Sequence, residues 1–269
     1  MAFRAVHRNM FKRILLSAIL TIAAAAANAS TLDQAFDRTF DVRPGAVFSL
    51  TNTNGHITVR AWDQPRVRVH AVKHVESRDS EAARDAMKAL TLDLSQPNGG
   101  LRIDTKYPKH NDGIFEWIAG TNVSMSVTYE VTVPRTMDLQ IENTNGAIEA
   151  SDVRGSHKIE TTNGRITLAR CAGDVDAETT NGTIEAELTA VNSGRGVRLE
   201  TTNGGIHARL PRTFAARIDA ANTNGSIESD LPVTTSGSQN KHSLHGTMNG
   251  GGPELRLRTT NGSIHINAI

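Results

Sequence analysis

The chain has 269 residues, 38% hydrophobic and only 4% aromatic; that is enough for one large or two small domains, but lean in the stacking rings a carbohydrate-cleft enzyme uses. Its formal charge of +1 comes from 29 Lys and Arg against 28 Asp and Glu. Setting aside the four cations at the N-terminus (Arg4, Arg8, Lys12 and Arg13) leaves 25 against 28, a net charge of −3, so nucleic acid is not an expected partner, because phosphate binding needs a concentrated positive field.

Residues 1–29 read as a secretory signal peptide. The basic start leads into Ile14-Leu15-Leu16-Ser17-Ala18-Ile19-Leu20-Thr21-Ile22 and an alanine run, then Ala27-Asn28-Ala29, an A-x-A cleavage pattern. The apolar stretch from Ile14 to Ala27 is about 14 residues, short of the roughly 20 a spanning helix needs. The expectation is an exported chain, periplasmic, secreted or held at the cell surface, with no membrane span after cleavage. The single Cys171 rules out an intramolecular disulfide framework and a multi-Cys zinc site. It reads as a small buried apolar group.

Residues 30–63 read as a first strand and coil, and 64–138 as an inserted cap subdomain with one helix. In the insertion, Val67, Val69 and Ala71 alternate with Arg66, Arg68 and His70 as an edge-like strand. Asp79 through Leu90 is a helix with Asp79 as its cap and Ala83, Met87 and Leu90 as its apolar stripe. Strands follow at Leu92–Leu94 and Leu101–Thr105, around a turn at Pro97-Asn98-Gly99-Gly100. Val123, Met125, Val127, Tyr129, Val131 and Val133 form the cleanest alternation in the chain, ended by Pro134. Such a cap would shield one end of a stack whose strand edges are otherwise unpaired.

Residues 139–269 form a β-repeat domain. A core of [TN]-T-N-G-x-I occurs seven times, counting the copy at Asn52–Ile57. Its turns fall at Asn54-Gly55, Asn145-Gly146, Asn163-Gly164, Asn181-Gly182, Asn203-Gly204, Asn224-Gly225 and Asn261-Gly262, with Asn-to-Asn spacings of 91, 18, 18, 22, 21 and 37. The last spacing is near two periods and could hide a degraded copy near Asn249-Gly250. In each unit Ile159-Glu160-Thr161-Thr162 begins a period-two alternation, Asn163-Gly164 supplies the positive φ of a tight turn, and Ile166 and Leu168 resume the apolar face. A second turn near Ala172-Gly173-Asp174 closes the unit. The pattern predicts an all-β fold, a β-solenoid resembling a parallel β-helix, with coils of about 18 residues. An antiparallel β-meander is the alternative, since Asn-Gly is also the strongest local hairpin signal. The solenoid gives the repeated identity a reason: amides and Thr hydroxyls bond to their own kind from coil to coil. Leu50, Ile141, Ile159, Leu199 and Leu257 would then line one core column, with Ala177 and Ala220 as small exceptions. Ile57, Ile148, Ile166, Ile184, Ile206, Ile227 and Ile264 would line another.

Three stretches carry a family resemblance. Pro44-Gly45 leads through Phe48-Ser49-Leu50 into Asn54-Gly55-His56-Ile57-Thr58-Val59 and Ala61-Trp62-Asp63. Val131-Thr132-Val133-Pro134 precedes Leu139, Ile141 and Asn145-Gly146. Gly250-Gly251-Gly252 leads to Leu255, Leu257 and Asn261-Gly262-Ser263-Ile264. Together they span residues 44–264. The chain resembles a bacterial family of exported β-strand-repeat proteins, a domain of unknown function labelled "putative adhesin". The resemblance implies an exported, repetitive, solenoid-like protein, and implies neither a reaction nor site residues.

Chemistry is sparse. Glu142, Glu160, Glu178 and Glu200 form one acidic column, pointing outward at strand spacing if the solenoid holds. They are either a divalent-cation ladder or a solvated face relieved by Lys158 and Arg198. His242 and His245 sit in a Ser/Gly/Asn-rich loop, residues 234–252, and could meet His207 or His265 around a transition metal or be simply solvated. His70 and His74 share a strand face about 13 Å apart, too far to chelate one ion. Thr162, Thr180, Thr202 and Thr260 are expected to face outward, either as an ice-binding array or simply as good β-formers. No nucleophile elbow, zinc-protease helix or phosphate-binding glycine loop occurs. The expectation is a non-enzymatic envelope scaffold or adhesin-like binding surface without a cofactor, its partner an envelope protein or glycan. The alternative is a β-helix enzyme acting on envelope polysaccharide through the acidic column.

Overall fold

The structure, a computed structural model, describes residues 30–108, 122–191, 194–235 and 240–269. The expected signal peptide, residues 1–29, lies outside the described residues. The chain opens with β1 (Ser30–Asp41), β2 (Val47–Thr51), β3 (Ile57–Trp62) and β4 (Arg66–Ser77). Then come α1 (Ser80–Ala89), β5 (Thr91–Ser95), a 3-10 turn at Pro97–Gly99, β6 (Leu101–Lys106) and β7 (Ser124–Pro134). The repeats supply β8 (Asp138–Asn145), β9 (Ile148–Ser151), β10 (His157–Asn163), β11 (Ile166–Ala172), β12 (Val175–Asn181) and β13 (Ile184–Ala190). They continue as β14 (Val197–Asn203), β15 (Ile206–Leu210), β16 (Ala216–Asn224) and β17 (Ile227–Ser229). A hairpin of β18 (Thr234–Thr235) and β19 (Ser243–Met248) precedes β20 (Glu254–Asn261) and β21 (Ile264–Ala268).

These strands build two facing sheets of a parallel β-solenoid. Sheet A runs in the order β1-β4-β7-β3-β9-β11-β13-β15-β21-β17, and sheet B in the order β18-β19-β16-β20-β14-β12-β10-β8-β2-β6-β5. One coil is a strand of sheet B, an Asn-Gly corner, a strand of sheet A and a second corner. Equivalent residues stack in register: Ile159 pairs with Ile141 and Ala177, and Ile166 with Ile148 and Ile184. The pairing is parallel, so Asn-Gly joins two sheets rather than two hairpin strands, and the meander is excluded. Both predicted apolar columns line the core, fully buried at Leu50, Ile141, Ile159, Leu199 and Leu257, with Ile227 only partly buried against it. Apolar burial between the sheets is the main stabilising term here.

Strand order in space departs from strand order in sequence at both ends. The coil β2–β3 lies between β6–β7 and β8–β9. The coil β20–β21 lies between β14–β15 and β16–β17. Antiparallel strands close the stack: β1 and β4 in sheet A, β5 at one end of sheet B, and β19 at the other. β1, twelve residues long, was not anticipated, although Leu32, Phe36 and Phe40 recur at even spacing and are half-buried along it. α1 starts where predicted, with Asp79 accepting from Glu81 and Ala82 backbone N–H groups. The residues expected as a 234–252 loop contain the β18–β19 hairpin instead. Asn249-Gly250 is no hidden corner: Asn249 donates to the Arg212 and Phe214 carbonyls, holding the turn before β16.

Candidate functional site

The Asn-Gly corners are the most regular feature of the molecule. From one coil to the next, Asn145 donates to Asn54, Asn163 to Asn145, Asn181 to Asn163, Asn203 to Asn181, Asn261 to Asn203 and Asn224 to Asn261, each at 2.7–2.8 Å. Seven amides thus form one uninterrupted ladder along the solenoid. Beside it, the glycines approach their neighbours backbone to backbone. A Cβ on Gly164 would overlap the Gly146 carbonyl oxygen, and one on Gly182 the Gly164 oxygen. The first motif position points inward: Thr179, Thr201 and Thr259 donate to the Gly164, Gly182 and Gly204 carbonyls at 3.0, 2.9 and 2.8 Å. Asn143 does the same to Gly55 at 2.9 Å. That role explains why the position alternates between Thr and Asn: both carry a donor of the right reach, and a buried carbonyl needs one.

Alternation along sheet B then leaves three outward rows. The first holds Gln140, Lys158, Asp176, Arg198, Arg256 and Asp219, the second Glu142, Glu160, Glu178, Glu200, Arg258 and Ala221. The third is the exposed Thr of each motif. The second and third rows line a groove of about 700 Å³ running along the solenoid from Thr51 to Thr223. The structure thus brings the four predicted Glu together on one face. Arg258 completes the second row and Arg256 stands beside it in the first; both were missed, although their alternation with Leu255 and Leu257 was an available signal.

The electrostatics of this wall are graded. Lys158 pairs with Glu160 at 2.7 Å. Arg198 clasps Glu200 through two bonds of 2.9 and 2.8 Å and reaches Glu178 at 2.9 Å. Arg256 meets Glu200 at 3.1 Å, and Arg258 pairs with Asp219. The Arg198 guanidinium holds the Glu200 carboxyl below the usual carboxylate range. Burial pushes Glu178 up, with Arg198 opposing it. Glu142 has no ion-pair partner among the described residues, so the groove passes from an acidic end at β8 to a guanidinium-rich end at β20. In-register carboxylates on one sheet lie about 4.8 Å apart on the same wall, not across a cleft from each other. Among the described residues, no group of three or more His, Cys, Asp or Glu is arranged to hold a metal ion.

The other candidates stay apart. His245 lies on β19 in sheet B and His242 in the turn just before it; His242 Nδ1 meets the Asn222 side-chain oxygen at 2.9 Å and His245 meets Asp219 at 2.8 Å. His207 and His265 stack on each other in sheet A, ring centroids 5.1 Å apart. His70 and His74 face Asp37 and Asp33 across the β1–β4 pair, at 3.4 and 2.6 Å. Cys171 is fully buried, and burial pushes its thiol pKa up to about 11. The thiolate that reactivity requires is therefore suppressed.

Two facing parallel sheets, one-coil repeats and a single amide ladder define a β-solenoid repeat protein. The sequence profile of the Toastrack DUF4097 family matches residues 118–267, more than half of the chain, and the chain belongs to that family. Among solved structures it is similar to a "putative cell adhesion protein" from Clostridium sporogenes, 12% identical over 87% of this chain and 100% of that one, with a TM-score of 0.42. It is also similar to a "putative adhesin" from Bacteroides fragilis, 11% identical over 87% and 97% of the two chains, with a TM-score of 0.36. No curated protein matches the chain.

Proposed function

We propose that this chain is an exported, non-enzymatic binding protein of the bacterial cell envelope, and that the outer groove of sheet B is its docking face. The observation that carries this reading is the groove itself: an outward Thr row running through six successive coils from Thr144 to Thr223, beside an acidic-to-basic wall. Solenoids bind by offering long surfaces of shape and polar contact rather than one deep pocket. The occupant is an extended envelope glycan or polypeptide whose hydroxyl, amide and charged groups match the Thr row and the graded wall. The A-x-A pattern at Ala27-Asn28-Ala29 supports export. The enzymatic alternative needs two carboxylates flanking a scissile bond. Here the carboxylates stand in one row and three of the four are engaged by Lys158 or Arg198.

The test is co-sedimentation of the chain with purified envelope glycan and with envelope protein extract. Thr162→Arg with Thr180→Arg, which fills the groove while leaving the amide ladder and the inward Thr bonds intact, removes binding. Glu160→Gln with Glu178→Gln leaves the fold and most of the binding. Release of reducing ends from the glycan by the parent chain, lost in the Gln pair, would instead establish the enzyme.

A further inference from the structure

The coil formed by β20 and β21 is inserted out of order. It enters a slot whose two walls, β14–β15 and β16–β17, precede it in sequence. Every contact of an ordinary coil is made on both sides. Gly204 and Ile206 donate to the Asn261 and Ser263 carbonyls at 2.9 and 3.0 Å, while Gly262 and Ile264 donate to Asn224 and Ser226 at 2.8 and 2.9 Å. Asn261 bridges Asn203 and Asn224 in the amide ladder. Arg256 pairs with Glu200 on one wall and Arg258 with Asp219 on the other. The far edge of β16 is occupied by antiparallel β19, so a coil arriving after β19 cannot add outside β16 and must enter the slot.

The connection into the slot is short and glycine-rich. Residues 249–253, Asn-Gly-Gly-Gly-Pro, separate β19 from β20, and Asn249, Gly250 and Gly251 all hold positive φ, at 48, 83 and 88°. Gly250 has nothing within 4 Å of where a Cβ would stand. Such a segment can straighten at little steric cost, and a straightened hinge carries the coil away from its own slot.

We infer that this slot is an interaction site for a second copy of the same chain, which fills it with its own residues 254–268. All the contacts described above are identical whether the coil comes from the same chain or from its neighbour, so the two forms differ only in the hinge and in concentration. Withdrawal of the coil breaks pairing in both sheets at once, which makes exchange slow and the exchanged form persistent once made.

The register supplies the test. Arg198 and Arg256 are direct partners across the β14–β20 pair, at a spacing a disulfide spans. Two chains, each carrying Cys171→Ala, receive Arg198→Cys in one and Arg256→Cys in the other, with a mass tag on one. They are mixed, taken briefly through partial denaturation, returned to native conditions and oxidised. Dimers containing one chain of each kind should exceed like-with-like dimers several-fold, and deletion of Gly250 and Gly251, which leaves the hinge too short to fold back, should raise their yield. The same two substitutions in one chain should close an intramolecular bridge at high dilution. Bridging in the double variant with no mixed dimers at any concentration overturns the exchange. Failure of the double variant to bridge overturns the slot register on which it depends.

Discussion

His157 stands in an apolar column with Leu139, Val175, Val197 and Leu255 as its register neighbours. It is 1% exposed, and its ring faces the Val153 and Ala172 carbonyls without a hydrogen bond of good geometry. Burial lowers its pKa from the ordinary 6.5, outweighing the nearby Val153 and Ala172 carbonyls and Asp138, which favour the charged ring. The sign follows directly. As pH falls through 6.5 the unfolded chain takes up a proton that the folded chain refuses, so stability declines below 6.5 until the lowered folded-state pKa is reached. Above 6.5 this contribution is flat. His157→Leu, the residue the preceding coil carries at Leu139, should remove this slope and add on the order of 1 kcal/mol by eliminating a poorly paired buried polar group. Urea unfolding of parent and variant from about pH 7.5 to about pH 5 reads both effects; equal slopes for the two chains would refute the assignment. Its inward direction was legible in the sequence, since His157 lies two residues before the core residue Ile159.

The corner is where sequence reasoning identified the right residues and gave the wrong cause at some of them. Asn-Gly was read as a demand for positive φ, and Gly146 and Gly225 do hold it, at 125 and 143°. Gly164 and Gly182 do not fall in that region; they are glycines because the neighbouring coil's carbonyl occupies the place of a Cβ. Gly164→Ala separates the two causes. If φ alone mattered, alanine there would be neutral or mildly stabilising through the unfolded chain. Close approach instead forces two coils apart, costing about 1–3 kcal/mol, and thermal unfolding distinguishes the signs. The amide ladder, the core columns and the outward Glu row were all legible, because a parallel stack converts sequence identity into spatial adjacency. The inward Thr was not, since period two alone cannot say that a polar side chain is buried to serve a carbonyl. The order of coils was not legible either: units bearing the same Thr-Thr-Asn-Gly core fit any neighbour equally, and only the hairpin at β19 decides that residues 254–268 lie inside those of 216–229.

Interchangeable coils make the molecule close to one-dimensional, each unit touching only the units above and below it. Removing one whole period should therefore be tolerated, and removing one residue fewer should not. Deletion of residues 163–180 joins Thr162 to Asn181, so Asn181 replaces Asn163 in the ladder, Ile184 replaces Ile166 in the core, and β13 meets β9. The losses are local: one set of stacking contacts, the Asp152–Arg170 ion pair, whose two bonds are 2.8 and 2.7 Å, the Arg165–Glu185 pair, and the contacts of Arg198 and Gly196 with Asp176, Glu178 and Asp174. Deletion of 163–179 joins Thr162 to Thr180 and displaces every later residue of that coil by one relative to the strand before it. In a strand that displacement turns the buried face outward, placing Thr183 where Ile184 belongs and Glu185 where the buried Ala186 belongs, which strands a carboxylate in the core. Circular dichroism and thermal melting of the two deletions test this. The 18-residue deletion should retain the parent's strand spectrum and a cooperative transition, with small-angle scattering showing a particle shorter by about one strand spacing, 4.8 Å. The 17-residue deletion should lose the transition, and two deletions that melt alike would mean that the coils are not interchangeable units.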